Sequence, residues 1–315
     1  MSNTKILVTG ANGQIGQVLT LALRNKYGWD NILATDIQKQ PIENEPYQFL
    51  DILNTTRMKE IIQNHKITQI YHLAALLSAS GEINPPKTWN INLNGFMSVM
   101  DLAVEMEIDR IFFPSTIAVF GKTTPKVDTP QNCSLVPETV YGISKVSGES
   151  LANYYFNRYG LDTRSIRYPG IISHQSLPSG GTTDYAVEIY YYAKKYGHYE
   201  CFLGPNTKLP MMYIDDAIKA TLDLMDAPKD AVHTRTSYNV AAMSFTPAEI
   251  TESIRKHIPD FKITYKPDFR QEIAASWTES IDDSTARKEW GWNHEFDLDK
   301  MTETMLKEVD VSKID

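Results

Sequence analysis

Tyr141 and Lys145 stand four residues apart in the segment Val-Tyr-Gly-Ile-Ser-Lys, within a predicted helix from about Glu138 to Tyr159. A spacing of four places both side chains on one face of a helix. A phenol has a pKa of about 10, and a nearby ammonium favours the phenolate and lowers that pKa. The pair is therefore a candidate for proton transfer at neutral pH. Because the same spacing is common in helices, its meaning depends on the rest of the chain.

A glycine-rich segment near the N-terminus has the pattern of a dinucleotide-binding turn. It follows a predicted strand, Lys5 to Thr9, and precedes a predicted helix, Gln17 to Asn25. Glycines spaced G-x-x-G-x-x-G permit a tight turn, the approach of a pyrophosphate and close packing of helix on strand. The positive helix N-terminus favours the phosphates. We predict that the dinucleotide binds here, through Gly10, Gly13, Gln14, Ile15 and Gly16.

An aspartate ends the second predicted strand, Asn31 to Thr35. Asp36 lies 20 residues beyond Gly16, where a carboxylate can bind the adenosine ribose. It would also repel a 2′-phosphate, and no arginine follows directly, so we predict NAD rather than NADP as the cofactor. The alternative is an ordinary strand-end aspartate that caps a turn. We also predict cofactor contacts at three nearby positions: Ile37, Asp51 and Ile52, although a simple loop aspartate fits Asp51 nearly as well.

Composition excludes several classes of protein. The net charge of the 315 residues is −8, and no basic cluster occurs, so we expect no nucleic-acid partner. With only two cysteines, Cys133 and Cys201, a disulfide framework is excluded, and a reducing cytoplasm is the expected location. The histidines lack the spacing of metal ligands, so no metal site is expected. No targeting segment or long apolar stretch is apparent, and a soluble protein without membrane contact is expected.

The alternation of short strands with helices predicts an α/β fold with a doubly wound parallel sheet. Further strands are predicted at Thr68 to Ala75, Arg110 to Ser115 and Asp162 to Tyr168, with a loop from Leu76 to Pro86 and a helix from about Lys87 to Glu107. Beyond about residue 170 the rhythm loosens. We therefore predict a Rossmann NAD-binding domain over residues 1–170 and a smaller substrate-binding portion over residues 171–315; the chain can cross between the two.

These segments together resemble an extended short-chain dehydrogenase/reductase. The resemblance spans most of the chain and rests on Gly10 to Gly16, Asp36, His72 to Ala75, Ser115 to Gly121, Tyr141 to Lys145 and Met212 to Ala217. It implies that Tyr141 exchanges a proton with the substrate and that Lys145 binds the nicotinamide ribose and lowers the tyrosine pKa. It implies that a hydroxyl, Thr116 with Ser115 as runner-up, steadies the substrate oxygen. Further cofactor contacts are implied at Leu73, Ala74, Ala75, Asn92, Tyr168 and Ile171.

Within that family, the chain is most similar to the epimerase-like L-threonine 3-dehydrogenases. The features are Tyr168 to Ile172, Gly180 to Ala186 and a compact later half with Trp277. Nucleotide-sugar epimerases resemble the first half equally well, but usually have Arg-Tyr-Phe-Asn where this chain has Arg-Tyr-Pro-Gly. The resemblance implies NAD-dependent oxidation of L-threonine at Cβ, with Tyr141 as general base. The alternatives are a nucleotide-sugar epimerase or dehydratase, and a non-catalytic dinucleotide-binding module.

A small zwitterionic substrate needs convergent polar groups. The candidates for its carboxylate or ammonium are Ser78, Gly181, Thr182 and Thr183, with Thr116 and Tyr141 at its hydroxyl. Trp277 could close the pocket against the methyl group. A flexible loop that ends in a helix cap is the alternative for residues 180–183. The resemblance also implies a homodimer, formed through the tyrosine-bearing helix at Leu151 to Phe156.

Overall fold

The computed structural model describes residues 4–38, 46–178 and 181–314. Gly180, part of the predicted substrate loop, lies outside the described residues. The centre of the described part is a parallel sheet of seven strands in the order β10-β6-β5-β4-β1-β2-β3. The strands are β1 (Ile6–Thr9), β2 (Ile32–Asp36), β3 (Tyr47–Phe49), β4 (Gln69–His72), β5 (Arg110–Thr116), β6 (Asp162–Tyr168) and β10 (Tyr238–Asn239). The predicted doubly wound α/β fold is confirmed.

Helices cover both faces of this sheet. In the first half they are α1 (Gln14–Tyr27), α2 (Thr55–His65), α3 (Ser78–Glu82), α4 (Pro85–Trp89), α5 (Phe96–Glu105) and α6 (Val140–Tyr159). Alternate residues of β1 point to opposite faces, so Ile6 and Val8 join one core with Leu19 of α1, whereas Leu7 joins a second core with Met58 of α2. Burial on both faces explains why the strands read as continuous apolar runs.

Within its described residues, the second half of the chain adds small sheets and six α-helices to this framework. β7 (Gly170–Ile172), β9 (Leu209–Tyr213) and β11 (Met243–Phe245) form one sheet, and β8 (His198–Cys201) pairs with β12 (Lys262–Tyr265). Because β10 pairs with β6 in the central sheet, the chain returns from the second half to the first. The helices are α7 (Tyr185–Tyr196), α8 (Ile214–Asp226), α9 (Pro247–Arg255), α10 (Phe269–Ser276), α11 (Ser284–Trp290) and α12 (Leu298–Glu308).

Two local predictions were wrong. The segment from Leu76 to Pro86 is not a plain loop, because it contains α3 and the start of α4. The Asn84 side chain accepts a hydrogen bond from the Lys87 amide at 3.1 Å, and Pro85 takes the first helical turn, so α4 begins with a regular cap. The predicted helix from Lys87 to Glu107 is also interrupted by a π-helical segment, Asn90–Gly95. A membrane-crossing helix, with the length and apolar character that requires, does not occur among the described residues.

Candidate active site

A cavity of about 400 Å³ opens where β1, β4, β5 and β6 end. The carboxyl edge of a parallel sheet is where such folds bind ligands. Most of the predicted binding and catalytic residues line this cavity: Gly10, Gly13, Gln14, Ile15, Gly16, Leu73, Ala75, Ser78, Thr116, Tyr141, Lys145, Tyr168, Ile171, Gly181, Thr182, Thr183 and Trp277. The predicted residues that are not part of the described lining are Asp36, Ile37, Asp51, Ile52, Ala74 and Asn92.

The glycine-rich turn leaves room for a dinucleotide and requires glycine for packing. Gly10 has φ +69°, and a Cβ there would lie 2.6 Å from the Ala74 amide nitrogen. The Ala74 backbone therefore packs directly against the turn. A Cβ on Gly16 would lie 2.3 Å from the Gly10 carbonyl oxygen. Gly13 caps α1 without a side-chain partner, and no acidic residue occupies the first turn. The first-turn amides therefore remain available to an anion, which fits the pyrophosphate of NAD.

We expect Gly13→Ala and Gly16→Ala to fail differently. A Cβ on Gly13 would meet only the Gly10 carbonyl oxygen, at 3.3 Å, and would otherwise occupy the space that a phosphate needs. Gly13→Ala should therefore weaken NAD binding about tenfold with a nearly unchanged Tm. Gly16→Ala should lower Tm as well, because its Cβ would overlap the turn. Calorimetric NAD titration and thermal unfolding measure the two effects, and equal Tm values for both variants would contradict this account.

Asp36 ends β2 with its carboxylate already fixed by backbone amides. Its Oδ2 accepts a hydrogen bond from the Asn12 amide at 3.0 Å, and its Oδ1 accepts one from the Gln38 amide at 3.1 Å. Neighbouring Ile37 is 63% exposed. These bonds place the carboxylate beside the glycine-rich turn, and its role toward the adenosine ribose remains a prediction.

Asp51 and Ile52 have local roles that do not involve the cavity. The exposed Asp51 side chain accepts a hydrogen bond from the Leu53 amide at 3.0 Å, as expected of a loop aspartate. Ile52 is buried, and its Cδ1 lies 2.8 Å from the position that a Cβ on Gly95 would take. The predicted cofactor contacts of these two residues therefore have no support from the described geometry and remain predictions.

Asn92 positions other residues of the site. The buried amide group accepts a hydrogen bond from the Leu76 amide at 2.8 Å and donates one to the Leu76 carbonyl at 3.0 Å. Its Nδ2 also lies 3.4 Å from the Ser144 hydroxyl, next to Lys145 on α6. Asn92 thus ties the segment after β4 to the helix that carries the tyrosine–lysine pair. The sequence placed Asn92 on a helix but gave no sign of this bracing role.

The proton-transfer pair lies on α6 as the spacing predicted. Tyr141 faces the cavity, and the Lys145 ammonium lies 5.7 Å from the centre of its ring. Lys145 is 4% exposed, and its Nζ donates a hydrogen bond to the Pro114 carbonyl at 2.8 Å and lies 4.6 Å from the centre of the Phe113 ring. These contacts hold the ammonium beneath the tyrosine and beside the end of β5.

Burial shifts the pKa of both groups, and for the tyrosine the predicted direction was wrong. Burial raises the pKa of Tyr141 to about 12, and a hydrogen bond with Thr116 only partly opposes it. Burial lowers the pKa of Lys145 to about 7, with the Glu149 carboxylate opposing. The prediction assumed an ammonium in an otherwise ordinary environment. Here the desolvation of the phenolate dominates, and the group that opposes it is the Thr116 hydroxyl rather than the lysine.

The geometry favours Thr116 over Ser115 as the hydroxyl at the substrate oxygen. The Ser115 hydroxyl donates to Glu149 Oε1 at 2.6 Å, and Glu149 also forms a buried bidentate ion pair with Arg167. That hydroxyl is therefore committed to the interior. Thr116 is half-buried and forms the hydrogen bond with Tyr141. Its Oγ1 also accepts a hydrogen bond from the Ala118 amide at 3.2 Å, which fixes its rotamer at the end of β5.

The remaining wall of the cavity comes from the second half of the chain. The hydroxyl of buried Thr182 has no hydrogen-bond partner among the described residues, and Trp277 is 6% exposed. Sequence reasoning missed Asp184, the only carboxylate among the described lining residues, whose Oδ2 accepts a hydrogen bond from the Gly181 amide at 2.8 Å. Asp184 stands directly before α7, where the sequence alone suggests only the cap of a helix. A carboxylate inside an otherwise apolar and hydroxyl-lined wall suits an ammonium group.

Within residues 4–38, 46–178 and 181–314, no group of three or more His, Cys, Asp or Glu side chains is arranged to hold a metal ion. His72 is buried and hydrogen-bonded to the Thr9 hydroxyl at 3.0 Å, and its ring stacks on Phe96. Burial lowers the pKa of His72 to about 3, so it is neutral and structural at physiological pH.

Comparison with known proteins gives consistent matches over most of the chain. The sequence model of the NAD dependent epimerase/dehydratase family matches residues 6–241. The mitochondrial L-threonine 3-dehydrogenase of Sus scrofa is 50% identical over 306 residues, which cover 96% of this chain and 82% of that protein. The holo form of the GalE-like L-threonine dehydrogenase from Cupriavidus necator superposes with a TM-score of 0.95 at 47% identity, covering 96% of this chain and 99% of that one. A monomeric L-threonine 3-dehydrogenase from a metagenome, in its apo form, gives a TM-score of 0.93 at 51% identity, with coverages of 96% and 97%.

Proposed function

This chain belongs to the NAD-dependent epimerase/dehydratase family, and on that basis we propose that it is an NAD-dependent L-threonine 3-dehydrogenase. One observation carries the proposal. Thr116, Tyr141 and Lys145 meet in a cavity closed by residues 181–184 and Trp277, in a chain half identical to the porcine enzyme. The reaction is one oxidative step in the breakdown of threonine.

The residues of the cavity divide the reaction between them. Threonine loses a hydride from Cβ and a proton from its hydroxyl, and becomes L-2-amino-3-oxobutanoate. When bound to the glycine-rich turn, NAD supplies the hydride acceptor. Tyr141 takes the hydroxyl proton as general base, and Thr116 holds the same oxygen through a hydroxyl that can both donate and accept. The Lys145 ammonium contributes positive charge below the phenol, which favours its ionised form.

The second half of the chain orients the amino acid. Asp184 pairs with the substrate ammonium, which is the one positive charge of the amino acid. Ser78 and the buried hydroxyl of Thr182, which has no partner within the described part of the chain, bind the carboxylate. The backbone at Gly181 and the side chain of Thr183 contribute to the same contact. Trp277 packs against the methyl group. Fixing these groups around the small substrate supplies much of the rate acceleration, because alcohol and base must meet within contact distance.

Asp184→Asn should raise the KM for threonine about tenfold or more while NAD affinity stays unchanged. Asparagine keeps the size of the side chain and can still accept the hydrogen bond from the Gly181 amide. The variant therefore removes the charge alone. Asp215→Asn, at an exposed position in the first turn of α8, is the matched control and should behave as wild type. Equal KM values for the two variants would exclude an ammonium contact at Asp184.

Initial-rate assays test the activity itself. Purified protein with NAD and L-threonine should accumulate NADH, detected by its near-ultraviolet absorbance. A nucleotide-sugar epimerase, the less favoured alternative, would convert UDP-sugars without net NADH formation. Sugar conversion in the absence of threonine oxidation would therefore replace our proposal with the alternative.

We also retain a homodimer formed through α6 as a proposal. Of the segment Leu151 to Phe156, Ala152 and Tyr155 are buried within their own chain, so only part of it is available to a partner. Tyr154 is 51% exposed and Ile143, on the same helix, is 42% exposed. The metagenome relative is described as monomeric, so sedimentation must decide; a monomer at micromolar concentration would contradict a dimer.

A cytoplasmic location is likewise our proposal. Cys133 is half-buried and Cys201 buried, and both are free thiols, which suits a reducing compartment. The porcine relative is named as mitochondrial. Fractionation of the native cells would test the proposal, and recovery of the protein in an organelle fraction would overturn it.

A further inference from the structure

Tyr47, the first residue of β3, is bonded to the backbone that carries Asp36. Its hydroxyl lies 3.3 Å from the Asp36 carbonyl oxygen and forms a shorter hydrogen bond with the Gln38 carbonyl oxygen. The same hydroxyl lies 3.4 Å from Asn12 Nδ2 and can accept a hydrogen bond from it. One phenol thus connects the end of β2, the turn that follows it and the glycine-rich turn.

None of these three contacts of Tyr47 is made to the Asp36 carboxylate, but they restrain the two residues that bond to it. The Asn12 amide donates to Asp36 Oδ2, and the Gln38 amide donates to Asp36 Oδ1, at 3.0 and 3.1 Å. Both residues that hold the carboxylate are therefore themselves held by the Tyr47 hydroxyl. Burial and the nearby Asp36 charge raise the pKa of Tyr47, so the phenol keeps its proton and remains a donor to the carbonyl groups.

These restraints matter at the end of β2, which borders the edge strand β3. β3 is the outer strand of the sheet and pairs with β2 through three residues, so among the described residues few ladder hydrogen bonds restrain the end of β2 on this side. A carboxylate that recognises a ribose must be held within a fraction of an ångström to discriminate between a hydroxyl and a phosphate. Cross-links from a rigid ring are a direct way to restrict its movement.

We propose that Tyr47 is a positioning residue that holds Asp36 for the adenosine ribose and thereby strengthens the preference for NAD over NADP. The inference rests on the proposed role of Asp36 and is independent of the amino acid that is oxidised. It assigns to Tyr47 no contact with the cofactor. The discrimination comes from the orientation of Asp36, which accepts hydrogen bonds from the ribose hydroxyls and repels a 2′-phosphate.

Tyr47→Phe tests the proposal because it removes the hydroxyl and keeps the ring. Titration calorimetry with NAD and with NADP should show NAD affinity about fivefold weaker, the loss expected for one net hydrogen bond. NADP affinity should stay the same or increase, so the ratio of the two affinities falls. Tyr159→Phe is the control, since Tyr159 is 50% exposed and contacts other tyrosine rings, Tyr154 and Tyr155. If Tyr47 served only general stability, Tyr47→Phe would weaken the binding of NAD and of NADP by the same factor. That result, or no change in either affinity, would overturn the proposal.

A double-mutant cycle with Asp36→Asn tests whether Tyr47 affects NAD affinity through Asp36. If Tyr47 acts through Asp36, Tyr47→Phe should change NAD affinity by less than about twofold in the Asp36→Asn background. A fivefold loss that persists there would mean that Tyr47 acts elsewhere, and the proposal would fail. An unchanged NAD to NADP ratio in Asp36→Asn alone would refute the role of Asp36 and the inference with it. Neither result bears on threonine oxidation, which has its own assay.

Discussion

Tyr141→Phe should lower kcat for threonine oxidation by about a thousandfold, the range expected when a general base is removed. The ring and its packing remain, so NAD affinity and Tm should stay close to wild type. The loss arises because the neighbouring groups have other partners: the Lys145 ammonium donates to the Pro114 carbonyl and the Ser115 hydroxyl donates to Glu149. The Asp184 carboxylate accepts a hydrogen bond from the Gly181 amide and is assigned to the substrate ammonium. Stopped-flow or steady-state NADH formation measures the effect.

The pH dependence of the wild type follows from the same phenol. Burial raises the pKa of Tyr141 to about 12, so the base form is scarce at neutral pH and its population grows as pH rises. Oxidation should therefore accelerate with increasing pH above neutrality, and the small residual rate of Tyr141→Phe should lose this dependence. A variant that retains near-wild-type kcat, or the same rising profile, would show that the proton leaves by another route.

Thr116 provides a matched pair of variants for this prediction. Thr116→Ser retains the hydroxyl that bonds to Tyr141, whereas Thr116→Val has the same shape without it. The serine variant should keep most of the activity and the valine variant should lose a large part of it. Equal losses in both would point to the methyl group and to packing rather than to the hydroxyl.

The glycine-rich turn and the catalytic pair were predictable because their chemistry depends on short sequence separations. Gly10 to Gly16 require only a strand before them and a helix after them, and four residues on α6 bring Tyr141 over Lys145. Strand β6 was predicted with its observed bounds, Asp162–Tyr168, since a long buried strand between clear breaks leaves little choice. The fold class followed from the alternation of such elements.

Features that depend on distant residues were not predictable from one sequence. Strand β10 has two residues, Tyr238–Asn239, too few for a periodic pattern, and it exists because β6 offers an edge. Asn92 is ordinary in its helix until Leu76 folds back against it. The shift in the pKa of Tyr141 depends on burial by the whole pocket, which no local spacing encodes. Asp184 lines the cavity only because the second half of the chain covers the sheet edge.

Lys145→Met should lower kcat about a hundredfold or more and yet raise Tm, since a buried ammonium is useful for catalysis but unfavourable for folding. Burial lowers the pKa of Lys145 from 10.5 to about 7, a difference that corresponds to about 5 kcal/mol at low pH. Methionine has a similar length and no charge to desolvate. Losing the hydrogen bond to Pro114 and the contact with the Phe113 ring offsets part of the gain, so we expect Tm to rise by about 2–5 °C.

The stability difference between Lys145→Met and wild type should depend on pH in a defined direction. Between about pH 7 and 10.5 the unfolded chain binds a proton at Lys145 that the folded chain does not, so wild-type stability rises with pH in this window. The advantage of Lys145→Met should therefore be largest below about pH 7 and should shrink toward pH 10.5. Thermal unfolding across this range measures it. Lys122→Met is the control, because Lys122 is 71% exposed and pairs only with partly exposed Glu138 among the described residues, so Tm should barely change. A lower Tm for Lys145→Met than for wild type at acidic pH would mean that the contacts with Pro114 and Phe113 outweigh the desolvation of the charge.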